Sequence, residues 1–155
     1  MVSIAWAASF VAVEFVESSD GTGQLQVYAQ SGGFAGRGAA YFDAVHLIEF
    51  AGSLDEFPLP RGLELAGGFS SREAPYELEE ELVGLRFHAV GGRGQVGIGV
   101  HLAGECWPDT RPESVSEVRL ELLTTYERLR IFSGDFVAVA RGQLDRAEIH
   151  EEVLI

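Results

Sequence analysis

A chain of 155 residues, 46% of them hydrophobic, holds enough apolar material for one domain with its own core. Its net charge of −13 repels phosphate, which argues against nucleic acid and anionic membranes as partners and fits either plain solubility or a basic protein partner. All 11 basic residues are Arg, so a Schiff-base lysine, a pyridoxal attachment and a P-loop phosphate lysine are excluded.

Met1 to Val16 is fairly apolar, lacks a basic segment and is interrupted by Glu14. This stretch is expected as strand rather than signal peptide, with a cytoplasmic location. Phe10 to Glu17 is rich in β-branched and aromatic residues, which predicts a strand. After a turn at Ser18 to Gly23, Leu25, Val27 and Ala29 alternate with polar residues, giving a strand with one buried face. Phe34 to Phe42 reads as a third strand, with small residues at Ala35, Gly36 and Gly38.

Asp43 is a helix N-cap by residue type, and Leu47, Phe50, Ala51 and Leu54 follow at helical spacing. A helix is expected over 43–57, ended by Pro58 and Pro60. Leu63 to Phe69 alternates again as a strand. Glu77 to Glu81 reads as a solvated acidic loop.

Leu82 to Val90 and Gln95 to Leu102 are two strands joined by the Gly91-Gly92-Arg93-Gly94 turn. Pairing Val90 with Gln95 sets Ala89, Phe87, Leu85 and Val83 against Val96, Ile98, Val100 and Leu102. One face is then wholly apolar, as a half-buried antiparallel pair requires. On the other face His88 meets Gly97, Arg86 meets Gly99 and His101 meets Gly84.

Residues 105–113 are expected as a loop and 116–122 as a strand. Thr124 and Glu127 stand at capping-box spacing. A second helix follows through Leu129, Phe132 and Phe136, and Gly142 can end it. The tail 143–155 reads as a short strand or a frayed segment. The fold class is α+β: a mainly antiparallel sheet of about six to eight strands with two helices packed on it.

Leu47-x-x-Phe50-Ala51-Gly52-x-Leu54 matches Leu129-x-x-Phe132-Ser133-Gly134-x-Phe136 at an offset of 82 residues, and the same offset relates Asp43 to Thr125. The pattern describes two similar strand-then-helix halves, about 9–60 and 63–142, or a chance recurrence of an amphipathic motif. Glycines at matching mid-helix positions, Gly52 and Gly134, suggest that each helix lies close against a neighbour.

Chemistry-bearing motifs are sparse. His88 and His101 share a hairpin face but stand about 13 Å apart at ~3.3 Å per residue, too far to share a metal. No Gly-x-Ser-x-Gly elbow, dinucleotide loop or calcium loop occurs. Cys106 is the only cysteine, so no internal disulfide forms. No catalytic set, metal or cofactor is expected. The candidates for binding a partner or ligand are Trp107, Asp109 and Arg111 in the loop, with Trp107 either an anchor or a core plug. Arg86, His88 and His101 on the hairpin join them.

Tyr41-Phe42 ahead of Leu47-x-x-Phe50-x-x-x-Leu54, then Leu65-x-Gly67-Gly68-Phe69, Leu85-Arg86-Phe87, Gly94-x-Val96-x-Ile98-x-Val100, and Val118 to Leu122 ahead of Leu129-x-x-Phe132, resembles the WapI-type bacterial immunity protein family and related small bacterial domains. The resemblance spans roughly Gln24 to Gly142 and rests mostly on core positions. It implies a non-enzymatic protein that binds and neutralises a toxin, and it carries over no binding residues. The alternatives are a module holding an apolar ligand between sheet and helices and, behind it, an enzyme using Arg86, His88 and a carboxylate. The chain is expected as a monomer or a homodimer.

Overall fold

Alternating side chains fold the first part of the chain into a three-stranded meander: β1 (Phe10–Glu17), β2 (Thr22–Ser31) and β3 (Phe34–Asp43). The computed structural model describes residues 8–70, 78–105 and 109–154. The strand register puts Val11, Val13, Leu25, Val27, Ala29, Ala40 and Phe42 on one face, and all are buried. At the end of β3 the Asp43 carboxylate accepts from the amides of Val45 and His46, starting α1 (Ala44–Ser53).

That helix stops four residues short of the expected Phe57. The amides of Leu54, Asp55 and Glu56 bond back to the carbonyls of Ala51, Gly52 and Ser53, tightening the last turn. Pro58 also keeps Phe57 out of helical backbone.

The second half runs β4 (Leu63–Ser70), β5 (Leu78–Val90), β6 (Gln95–Ala103), a 3₁₀ turn (Pro112–Ser114), β7 (Glu117–Thr125), α2 (Tyr126–Ala140) and β8 (Ala147–His150). The fold is α+β as expected, with eight antiparallel strands and two α-helices among the described residues. The strands form two sheets of four rather than one, in the orders β3-β2-β1-β8 and β4-β5-β6-β7. β3 touches all four strands of the second sheet, so it crosses that sheet. Every pair of the expected hairpin register is present, from Val83 with Leu102 to Val90 with Gln95. The strands 116–122 and 82–90 are longer than expected, at 117–125 and 78–90.

Phenylalanines fill the space between the layers. Phe50 meets Phe87 and Phe136 at centroid distances of 5.9 and 6.3 Å, and Phe132 meets Phe136 at 5.5 Å. These rings pack against one another in the core. Among the described residues, no helix is long and apolar enough to cross a membrane.

Thr125, the repeat equivalent of the Asp43 cap, caps α2 as the 82-residue offset predicts, accepting from the Arg128 amide at 3.3 Å, and Thr124 does not form the capping box. Thr124 is fully buried and donates to the His150 carbonyl at 3.1 Å. The tail is a strand, β8, paired with β1. Beyond it the Gln95 amide donates to the carbonyls of Thr124 and Glu152 and accepts from the Leu154 amide. One buried side chain therefore ties the tail to the edge of the second sheet.

The helices meet at Ser133, whose hydroxyl donates to the Ala51 carbonyl at 2.6 Å. These two residues are equivalent under the 82-residue offset, so the halves touch at matching positions. Gly52 and Gly134 do not make that contact, contrary to expectation. Both face outward, and a Cβ added at either meets nothing within 4 Å. Their cost to the helix is therefore uncompensated. Gly52→Ala and Gly134→Ala should each raise stability by about 0.5–1 kcal/mol in chemical denaturation. A loss at either site would show that a close neighbour is present after all.

Candidate functional site

Strict alternation along β5 and β6 turns Gly84, Arg86, His88, Gly97, Gly99 and His101 to the outer face of the second sheet. The same rule would turn Glu81 inward beside Val83. A β-bulge prevents this. Gly67 faces Val83 but Gly68 faces Glu81, leaving Leu82 as an extra residue on β5. Leu82 is buried, and its carbonyl lies 2.7 Å from where a Cβ on Gly38 of β3 would stand. The bulged backbone folds over Gly68 so closely that a Cβ there would overlap the Glu80 carbonyl.

Reversed by the bulge, the Glu81 carboxylate lies over Gly84, in space that a larger residue would fill. Arg86 donates to it through both terminal nitrogens, at 3.0 and 2.7 Å, and through Nε to Glu64 at 3.1 Å. Across the strand pair, His101 Nδ1 stands 3.0 Å from Glu81 Oε1, and His101 Nε2 stands 3.0 Å from Glu117 Oε2. The His101 side chain is 10% exposed. Only a ring carrying both protons donates to both carboxylates at once.

The Arg86 bonds hold the Glu81 carboxyl below its ordinary value of 4.5; burial opposes this and the His101 bond adds to it. Glu81 in turn raises Arg86. The His101 bond is the main reason that Glu117 is lowered. A carboxyl lowered by folding contributes stability above its unfolded pKa and loses it as pH falls through the folded one. Glu81→Gln should therefore cost about 1–2 kcal/mol at pH 7. The gap from the native protein should close as pH falls below 4.5, measured by urea unfolding across pH. A gap constant with pH would contradict the assigned charge pairing.

Beside this cluster opens a cavity of about 420 Å³, lined by the polar Glu80, Glu81, His101 and Glu117 and by the apolar Leu82, Ala103, Pro112 and Val115. It combines charge with an apolar wall. Glu81 and Glu117 address opposite edges of the imidazole and do not converge on one point. Among the described residues, no three His, Cys, Asp or Glu side chains are grouped to hold a metal ion.

Of the residues singled out in the sequence, Arg86 and His101 meet here through Glu81. His88 stands apart, 3.2 Å from Glu121. Asp109 and Arg111 are exposed on the segment whose Thr110 and Pro112 line the cavity, and Arg111 lies 3.6 Å from Glu113. Trp107 and Cys106 lie outside the described residues.

The expected solvated loop at 77–81 is corrected: Leu78 to Glu81 belong to β5, and Glu81 is the hub of the cluster. Glu77 lies outside the described residues. Glu64, Glu81 and Glu117 were absent from the sequence candidates. The Gly67-Gly68 pair was the available sign of a bulge opposite Glu81. The β6–β7 register that sets Glu117 opposite Ala103, beside His101, left no local sign. No family model, no curated protein and no solved structure matches this chain.

Proposed function

We propose that the chain is a non-enzymatic protein-binding module that takes a basic side chain of a partner protein into the cavity beside Glu81, His101 and Glu117. The observation that carries this reading is the pairing of carboxylates, two of them lowered below their ordinary range, with an apolar wall in one opening. An arginine suits it best. Its guanidinium fork matches carboxylates, and its weakly hydrated plane and alkyl stem tolerate an apolar wall. Both nitrogens of His101 are already engaged by carboxylates, which favours binding over proton transfer to a substrate. A net charge of −13 speeds encounter with a basic protein. Under the resemblance to WapI-type immunity proteins, that partner is a toxin.

Ethylguanidinium chloride, a mimic of the arginine head group, tests the reading. Amide chemical shifts are followed against sodium chloride at equal ionic strength. Saturating shifts should concentrate at residues 80–82, 101–104 and 115–117, and weaken several-fold in Glu117→Gln. Shifts spread evenly over the acidic surface, or unchanged by the substitution, would count against the proposal.

A further inference from the structure

We propose that two copies of this chain associate through the outer face of the β3-β2-β1-β8 sheet, a surface separate from the cavity and independent of its reading. The register lays out that face in rows: His150, Phe10, Gln30 and Ala35; Glu148, Ala12, Tyr28 and Arg37; Glu14, Gln26 and Ala39; Val16, Gln24 and Tyr41. Among the described residues most of these side chains are exposed or half-buried, and Ala12 is buried among them. Tyr41 is 69% exposed and Val16 is 67% exposed.

The charge balance selects the occupant. Arg146 joins this face, 5.1 Å from the Tyr28 ring centroid, and pairs with Glu148 at 2.7 Å and Glu14 at 3.8 Å. Two Glu and two Arg, with neutral His, sum to zero in a chain whose total is −13. A basic partner gains nothing from a neutral face. A second copy, repelled by every acidic surface, can approach here without that cost. The composition is right for an interface centre: aromatic residues and Arg are present, Lys is absent, and the acids are already paired. Tyr28 and Gln26 bond at 2.9 Å, so part of the face is fixed before contact.

Size sets the strength. The strands β1 to β3 are 8 to 10 residues long. At ~3.3 Å per residue and ~4.8 Å between strands, these three strands cover roughly 30 by 14 Å, and the four-residue β8 adds a row of about 13 Å. Two copies related by a two-fold axis would bury on the order of 1,000 Å² in total, the size of a weak, transient interface. An interface of that size associates measurably only at high protein concentration.

Sedimentation velocity on the full chain from about 1 to 300 µM, at low and at 0.5 M sodium chloride, tests the proposal. The mass should double with concentration, and salt should strengthen the association several-fold by screening the net repulsion. Tyr41→Glu should abolish it. Gln24→Glu, at a half-buried polar position in the same row, provides the same carboxylate should the first variant fail to fold, as checked by circular dichroism. Glu117→Gln should leave the association unchanged. A monomer at every concentration, a dimer weakened by salt, or a dimer surviving a folded variant would each overturn the proposal. Survival would place the contact elsewhere, at a strand edge.

Discussion

Gly68→Ala should lower stability by about 2–4 kcal/mol, far more than an alanine usually costs in an edge strand. The added Cβ overlaps the Glu80 carbonyl and crowds the Leu82 amide, which are backbone atoms held by the bulge. Relief requires the bulge to open, and opening it turns Glu81 away from Arg86 and His101. Two readouts must therefore move together. The melting temperature should fall by roughly 6–12 °C. The pH dependence that Glu81 contributes should disappear with it. Gly99→Ala is the control: its Cβ meets only Arg86 atoms, at 3.7 and 3.8 Å, and it should be nearly neutral. A Gly68→Ala protein with native stability would mean that β5 continues past Leu82 without a bulge.

Phe132→Ala should cost about 3–5 kcal/mol, a large share of a typical domain's total stability. Phe132 is fully buried and packs its ring on Phe136, so truncation leaves a cavity where the helices meet the sheets. Its repeat partner Phe50 is 7% exposed and touches Phe87 and Phe136, so Phe50→Ala should behave similarly. The adjacent Ile131 is 59% exposed, and Ile131→Ala should change stability by less than about 0.5 kcal/mol. Urea unfolding of the three variants reads the helical phase directly. Equal effects at 131 and 132 would contradict it.

The interior was legible because it repeats. Spacing of two and of three to four identifies which side chains turn inward without knowledge of the partner. That is why Val83 to Leu102 paired in step and why Asp43 capped its helix. The site resisted for the opposite reason. Glu81 breaks the alternation, and Glu117 reaches His101 from a strand paired across a long connection. The glycines opposite Arg86, His88 and His101 were visible in the sequence, and they pointed at the correct face. What filled the space over Gly84 was not legible, because the extra residue at Leu82 reverses the direction of Glu81. Gly52 and Gly134 misled for a related reason. A glycine can mark a close contact, but the contact fell one residue earlier, at Ala51 and Ser133.

The bulge, the charge cluster and the proposed binding of a basic side chain all require the Glu81 carboxylate to face His101 on the outside of the sheet. The imidazole nitrogen-15 spectrum measures that placement. The His101 ring should show two protected N–H signals. The Nδ1 signal should shift in Glu81→Gln and the Nε2 signal in Glu117→Gln. Rapidly exchanging His101 protons, or signals that neither substitution moves, would contradict it.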